Sequence, residues 1–179
     1  MEKIEKNTKK IELVNHWISN CDTKSSFILT FYGVVLTIIF TSAIGGEMTN
    51  CFAYVKAKDI AGESIKNFAL LLITILFFIT SIATFYQIYL TLKGRIDPKL
   101  YQQKGLQEKS NIFFGSIASK TFEDFEKESD DDEDAYLNDL KSQVFINANI
   151  ATEKFKHYNK SLFWMFISLG VFLLYVILK

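Results

Sequence analysis

The sequence has few of the residues that build metal centres, disulfides and catalytic sites. Its 179 residues include two cysteines, two histidines and one proline. There is no C-x-x-C or Cys/His metal spacing, and His16 and His157 lie far apart, so we expect no structural metal. The G-x-S-x-G, P-loop and zinc signatures are also absent, which argues against a small hydrolase or transferase at the membrane. We therefore expect a protein that is not an enzyme and has no catalytic residues.

Charge is missing from three long apolar runs, which span residues 27–44, 68–90 and 162–178. None of them contains Asp, Glu, Lys or Arg, and each approaches or exceeds the roughly 18 residues of a spanning helix. The chain is too short to cover three such runs with polar structure. The sequence thus predicts an all-α membrane protein with three transmembrane helices. A signal peptide is disfavoured for the first run, because its leader is long and carries acidic residues.

Lysine and arginine near the helix ends set the expected orientation. The leader, 1–26, and the segment between the second and third spans, 91–161, are richer in these residues than the loop at 45–67. We expect the leader and the central segment to form a cytoplasmic helical domain, with the short loop outside.

The cytoplasmic segments carry helical patterns. In the leader, Ile4, Ile11, Val14, Ile18 and Cys21 share one face, which Leu13 and Trp17 widen. A matching pattern from Ala135 to Tyr158 continues without Pro or Gly into the third span, which predicts one long helix and a partner for the leader. Another helix is predicted from Pro98 to about Ser119. The acidic run 128–134 is expected to be an exposed loop, and a divalent-cation site there is the weaker reading.

Two stripes of small and hydroxyl side chains mark the first two spans. They comprise Thr30, Gly33, Thr37 and Thr41, and Thr80, Thr84, Gln87 and Thr91. Such residues favour close helix approach in lipid. Packing within one chain is the simpler reading, and contact with neighbouring subunits or a water-filled path is the alternative. We expect a homo-oligomer in the lipid bilayer.

The stretch "IFFGSIAS", residues 112–119, stands out in the charged central segment. Its small residues let a helix or a ligand approach the backbone. Its hydroxyls, with Lys109 and Lys120 nearby, also suit a phosphate. On the residues alone, helix packing is favoured over ligand binding.

Three stretches of the chain resemble a known family. They are "WISNCDTKSSFILTFYGVVLT", "SNIFFGSIAS" and "DLKSQVFINANIATEKFKHYNKSLFWM", and together they are similar to the Pycsar transmembrane effectors of bacterial antiphage defence. The resemblance implies a bacterial inner-membrane effector that responds to cyclic UMP or cyclic CMP made by a partner pyrimidine cyclase. It also implies membrane impairment and growth arrest during infection, a form of abortive infection. No other cofactor and no nucleic-acid partner are expected. The rival hypothesis is a regulatory membrane subunit that binds a protein partner.

The resemblance implies that the central segment, 91–161, is a sensor region. We predict a ligand site from the junction before the first span and the "IFFGSIAS" stretch together. Trp17 would stack on a base, and asparagine and glutamine amides would read the base edge or ribose. Asp22 is expected to orient Lys24 or to cap the first membrane helix. The predicted ligand-binding residues are Trp17, Asn20, Lys24, Ser116, Ser119, Lys120, Gln143, Asn147 and Asn149.

Overall fold

The computed structural model describes residues 2–54, 65–93, 103–107, 110–129 and 133–179. Within these ranges every regular element is a helix: α1 (Glu2–Thr41), α2 (Ala43–Tyr54), α3 (Ile65–Leu92), α4 (Phe114–Ala118), α5 (Phe122–Ser129) and α6 (Glu133–Leu178). Helices α1, α3 and α6 are each long and apolar enough to cross a membrane, as the sequence predicted. The all-helical class with three candidate spans is therefore confirmed.

The long helices show why a membrane suits this chain. Only 28% of the most apolar window of each candidate span is buried within the protein. Large apolar side chains such as Phe27, Ile38, Ile82 and Phe163 remain more than half exposed. Soluble monomers rarely expose continuous apolar surface of this size, whereas lipid solvates it well.

Helix α6 is continuous from Glu133 to Leu178, as the sequence pattern predicted. Helix α1 shows the same continuity, because the leader and the first span form one helix that ends at Thr41. Residues 43 and 44 of the predicted span 27–44 belong to α2, so that stretch is not one continuous helix. Ser42 breaks the helix, since its hydroxyl donates to the Ile39 carbonyl and accepts from the Gly45 N–H.

The chain bends at this break, and the backbone is tightly packed there. A Cβ atom on Gly45 would lie 2.2 Å from the Ile39 carbonyl oxygen, so only glycine fits there. Helix α2 then occupies part of the segment that was predicted as a loop over 45–67. Residues 55–64 of that predicted loop lie outside the described residues.

The prediction of a helix from Pro98 to Ser119 is wrong for its described part. Residues 103–107 and 110–113 are not helical, and only Phe114–Ala118 forms a short helix. Gly105 has a φ of +95°, which ends any helix at that point. Ser110 then accepts the backbone N–H groups of Ile112 and Phe113, a local bond pattern that competes with helix formation. Pro98 itself lies outside the described residues.

The acidic run is helical at both of its described ends. Residues 128–129 belong to α5 and residues 133–134 begin α6, so the prediction of a loop over 128–134 is too broad. Acidic residues are favourable in the first turn of a helix, where Glu133 and Asp134 lie. Residues 130–132 lie outside the described ranges.

The chain divides into two compact units. The first contains residues 1–22 and 93–155, and the second contains residues 23–92 and 156–179. In the first unit, Asn147 donates from Nδ2 to Asn15 Oδ1 over 2.9 Å, and Lys154 Nζ donates to Asp22 Oδ1 over 2.5 Å. Seven residues separate the two contacts along each helix, so these parts of α1 and α6 run parallel.

The second unit contains the candidate spans. One apolar cluster is formed by Ile39, Met48, Leu70, Phe77, Val171 and Tyr175, and another by Ile28, Tyr32, Ile88 and Met165. Near α2, Lys66 Nζ donates to the Lys179 carbonyl, and Lys179 Nζ pairs with Glu47 of α2. These contacts join α2, the start of α3 and the end of the chain.

Candidate functional site

Eight of the nine predicted ligand-binding residues belong to the first unit, and Lys24 belongs to the second. Helix α1 carries Trp17, Asn20 and Lys24, the α4 region carries Ser116, Ser119 and Lys120, and α6 carries Gln143, Asn147 and Asn149. The first unit therefore contains most of the predicted site, on three separate parts of the chain.

Trp17 lies where α1 meets α6. Its ring is 6.2 Å from the Phe155 ring at 67°, an edge-to-face contact, and its side chain remains 49% exposed. Leu13, expected on the buried face, is 58% exposed. A half-exposed indole beside Asn20 retains a surface on which a flat ring system can stack.

Several predicted polar groups bond locally. Asn149 donates to the Phe145 carbonyl, and Ser119 donates to the Ser116 carbonyl. Lys120 Nζ donates to Asn111 Oδ1. Asn147 instead bonds across to α1, at Asn15. These contacts account for part of the hydrogen-bonding capacity that the sequence assigned to a ligand.

Asp139 on α6 binds the two residues that immediately precede the "IFFGSIAS" segment. Its Oδ2 atom accepts from the Ser110 hydroxyl at 3.0 Å and from the Asn111 N–H at 2.7 Å. The Gln107 N–H donates to Ser142 Oγ at 3.2 Å, which adds a second attachment to α6. Gln107, Ser110 and Asn111 are thus hydrogen-bonded to α6, which fixes the chain immediately before the "IFFGSIAS" segment.

Asp139 is 1% exposed, and its second carboxylate oxygen, Oδ1, has no hydrogen-bond partner in the described structure. An unpaired buried acceptor costs about 1–3 kcal/mol, and more when charged. Sequence reasoning missed this residue because it searched for amides and lysines. The available signal was its spacing from Ser142, Gln143 and Ile146, which places it on a buried face of α6.

Three polar side chains follow one another along α6, each one turn after the last. Asp139 comes first, Gln143 lies one turn later and is 4% exposed, and Asn147 lies one turn beyond that. With a rise of about 1.5 Å per residue, the three cover about 12 Å of helix. Gln143 therefore lies between the segment attached at Asp139 and the α1 contact at Asn147.

Asp22 has a different role from the predicted ones. It lies inside α1, so it does not cap a membrane helix, and it pairs with Lys154, whose side chain is 8% exposed. Asp22 itself is 39% exposed. The Lys154 ammonium is thus largely removed from water, whereas the Asp22 carboxylate is not. Asp22 therefore compensates the charge of a buried cation.

A hydroxyl cluster links the three candidate spans inside the second unit. Tyr32 Oη lies 2.8 Å from Ser81 Oγ and 2.7 Å from Ser168 Oγ, and the two serine oxygens are 2.9 Å apart. Ser81 donates its hydrogen to the Phe77 carbonyl. The hydroxyl hydrogens of Tyr32 and Ser168 are therefore available for hydrogen bonds between the helices. We call Tyr32, Ser81 and Ser168 the hydroxyl cluster.

The two threonine stripes differ in burial. On α3, Thr80, Thr84 and Thr91 are at most 1% exposed, whereas Thr30, Thr37 and Thr41 of α1 are exposed. Gln87 of the α3 stripe pairs with His157 Nδ1 at 2.8 Å. The α3 stripe thus packs within the chain, and the α1 stripe faces outward. Among the described residues, no group of three or more His, Cys, Asp or Glu is placed to hold a metal.

Comparison with known proteins identifies the family. A family described as "Pycsar effector protein domain" (PycTM) matches residues 7–179. The chain belongs to the PycTM family. The Pycsar effector protein GmPycTM of Gulbenkiania mobilis is 35% identical over 175 residues, which cover 95% of this chain and 89% of that protein. No solved structure shows a significant match.

Membership of the PycTM family places this chain among the membrane effectors of Pycsar antiphage defence. The match extends over both units, from the leader through the last span. The resemblance stated from the sequence is therefore confirmed for the family.

Proposed function

We propose that this protein is a membrane effector that a cyclic pyrimidine mononucleotide, cyclic UMP or cyclic CMP, activates to impair the bacterial inner membrane. The observation that carries the proposal is the family match over residues 7–179, together with a relative named as a Pycsar effector. Activation would arrest or kill the infected cell, and a cyclase would supply the nucleotide. The proposed role requires no catalysis by this chain and no cofactor besides the activating ligand.

The first unit is the proposed sensor, on the cytoplasmic side. Lysine and arginine are concentrated in the leader and the central segment, which favours this orientation. This unit combines a half-exposed indole, several amides and a buried carboxylate with an unpaired oxygen. Such groups suit a small polar aromatic ligand.

The second unit is the proposed effector part. Helices α1 and α6 each contain residues of both units without interruption. A ligand that favours one arrangement of the first unit therefore acts on helices that also form the spans. Moving the population from about 1% to 99% active requires about 5.5 kcal/mol of differential affinity for the two arrangements.

We also propose that the active form is a homo-oligomer. The outward stripe of Thr30, Gly33, Thr37 and Thr41 offers a close-packing surface, because a Cβ on Gly33 would meet nothing within 4 Å. Small residues at a helix surface favour association in lipid.

The test uses detergent-purified full-length protein and the same protein in liposomes. Calorimetric titration with cyclic UMP, cyclic CMP, cyclic AMP and cyclic GMP should show saturable binding of a pyrimidine nucleotide. Liposomes loaded with a self-quenched dye should then leak only with that nucleotide. Absence of saturable binding to all four would overturn the proposal.

A regulatory subunit that binds a protein partner is the second candidate function. Its support is the exposure of large apolar side chains in the first unit, with Phe114 and Phe122 each 78% exposed and Leu13 58% exposed. Such side chains are common in protein interfaces. Under this alternative, the protein would bind none of the four nucleotides.

A further inference from the structure

Only one of the two oxygens of the buried Asp139 carboxylate has a hydrogen-bond partner among the described residues. Oδ2 accepts two hydrogen bonds from Ser110 and Asn111, immediately before the "IFFGSIAS" segment, while Oδ1 is buried with no partner among the described residues. Nearly all buried polar atoms in folded proteins are paired, so an unpaired acceptor in a residue that is 1% exposed calls for an explanation. A ligand that supplies a hydrogen-bond donor would provide one.

A second buried polar side chain lies beside it. Gln143 follows Asp139 by four residues on α6, which places both side chains on the same helix face, and Gln143 is 4% exposed. Its amide offers two N–H donors and one carbonyl acceptor. Together the two side chains present a fixed acceptor next to a group that can donate or accept.

We propose that Asp139 Oδ1 accepts an N–H of the nucleobase of the activating nucleotide, with the Gln143 amide bonding the adjacent position on the base edge. This inference rests on the proposed function, because it assigns the base-reading part of that site. It adds Asp139 to the site and gives Gln143 a defined role.

The chemistry of the pair favours a base over the sugar. A 3′,5′-cyclic nucleotide keeps a single free ribose hydroxyl, which needs one partner, whereas a base edge presents donors and acceptors side by side. Uracil offers N3–H between two carbonyl oxygens, and cytosine offers its amino group beside the N3 acceptor. Either edge can give one N–H to Oδ1 and accept one N–H from Gln143.

The same geometry disfavours guanine. Guanine would use N1–H and its amino group together on both oxygens of a carboxylate. Oδ2 of Asp139 already accepts from Ser110 and Asn111, so the two-point contact is blocked unless the segment is released. The pair therefore matches a ligand that gives the carboxylate one hydrogen.

Asp139→Asn is the sharpest variant. The Ser110 hydroxyl and the Asn111 N–H still need an acceptor, so the amide oxygen takes the Oδ2 position and the amide NH₂ replaces Oδ1. A donor then faces the donor of the base. Glu153→Gln is the matched control, because it removes a carboxylate from an exposed position on the same helix.

The experiment titrates full-length wild-type and variant proteins in detergent with cyclic UMP and cyclic CMP, and checks folding by circular dichroism and thermal unfolding. Asp139→Asn should weaken binding about tenfold or more, the size expected for one hydrogen bond to a charged group, and Glu153→Gln should not. Gln143→Leu, of similar volume, should also weaken binding. It tests the base edge independently if Asp139→Asn fails to fold.

Analogues then separate the base from the ribose. Cyclic UMP methylated at N3 should bind the wild type as weakly as cyclic UMP binds Asp139→Asn, and the 2′-deoxy analogue should bind the wild type normally. If the wild type binds a pyrimidine nucleotide while both variants bind it equally well, the inference is overturned and the proposed function stands. Weak binding of the 2′-deoxy analogue with normal binding of the methylated one also overturns it, in favour of ribose. If the wild type binds no cyclic nucleotide, the proposed function itself has failed.

Discussion

The hydroxyl cluster allows a quantitative prediction for the spans. Tyr32→Phe removes one oxygen that contacts Ser81 at 2.8 Å and Ser168 at 2.7 Å, and it leaves the ring in place. Hydrogen bonds between membrane helices contribute about 0.6 kcal/mol on average and at most about 1.7 kcal/mol. Because Ser168 can donate to Ser81 in the variant, the net loss is one hydrogen bond, which predicts a decrease of about 0.6 kcal/mol in the free energy of unfolding.

The remaining two hydroxyls keep this loss small. Ser168 can still donate to Ser81 over 2.9 Å, and Ser81 still donates to the Phe77 carbonyl. No buried hydroxyl is left unpaired, so the larger penalty for an orphaned polar group does not apply. Tyr32→Ala, in contrast, also removes a fully buried ring and should cost about 3–5 kcal/mol.

The assay is reversible unfolding in mixed micelles of increasing SDS content, followed by circular dichroism. Tyr86→Phe is the control, because Tyr86 is 56% exposed in the same unit. A double-mutant cycle of Tyr32→Phe with Ser168→Ala should give a coupling of about 0.5 kcal/mol or more. Equal unfolding free energies for Tyr32→Phe and wild type, or a coupling near zero, would refute the role assigned to this cluster.

Further substitutions test three other features: an ion pair, the threonine stripes and the continuity of α6. Asp22→Asn should lower the unfolding free energy by about 1–3 kcal/mol, and by more than Lys154→Met, because it leaves a buried ammonium without its carboxylate. Gly33→Leu should preserve folding and reduce association in cross-linking experiments, whereas Thr84→Leu, at a fully buried position, should cost about 1–3 kcal/mol of stability. Asn159→Pro should leave nucleotide affinity unchanged and abolish liposome leakage, since proline disrupts α6 by about 3 kcal/mol or more.

Each of these has a result that contradicts it. A larger loss for Lys154→Met than for Asp22→Asn would show that packing by the lysine stem, and not its charge, dominates. Unchanged association of Gly33→Leu, with wild-type behaviour of Gly33→Ala as control, would exclude the outward stripe as an interface. Leakage at the wild-type level for Asn159→Pro, compared with Asn159→Ala, would show that α6 need not be continuous for activation.

The sequence predicted the large features because they depend on long patterns. Three runs without charge are enough to indicate three spans, and the absence of Pro and Gly between Ala135 and the last span predicted the continuous helix. The predicted helix boundaries were wrong where short-range hydrogen bonds determine whether the backbone is helical. Ser42 ends α1 and Ser110 prevents a helix before α4, and a single serine among many carries no such signal.

The candidate site was harder to predict because its polar side chains were expected to contact solvent or a ligand, and not each other. The predicted contact face of α6 consisted of apolar residues, and its Phe155 does contact Trp17 of α1, but the hydrogen bonds to α1 are made by Asn147 and Lys154, which the pattern did not include. Asn147 and Lys154 can lie between the two helices because Asn15 accepts a hydrogen bond from Asn147 and Asp22 pairs with Lys154. A pattern based on apolar residues alone cannot find such pairs, since each partner looks exposed when read separately.

The spacing of buried positions links the two proposals for this chain. Along α1, buried and half-buried residues recur every three or four positions on both sides of residue 22: Ile4, Asn7, Ile11, Val14, Ile18, Cys21, Ser25, Ile28, Tyr32, Val35 and Ile39. Along α6 the same spacing continues on both sides of residue 155: Leu137, Leu140, Val144, Asn147, Ala151, Lys154, Tyr158, Ser161, Met165, Ser168, Phe172 and Tyr175.

An unbroken seven-residue repeat keeps one face of a helix buried along its whole length. Neither proline nor glycine occurs in α1 from Glu2 to Tyr32 or in α6 from Glu133 to Leu169, so no such residue interrupts either helix at residue 22 or residue 155. Asp139 and Gln143 lie near the start of α6 but outside this repeat, whereas Ser168 belongs to the repeat near the end of the helix. Under the proposed function, a nucleotide bound at Asp139 and Gln143 would act on the same helix that carries Ser168 of the hydroxyl cluster. Variants of that cluster should shift the nucleotide concentration needed for leakage even though they leave the residues of the candidate site unchanged.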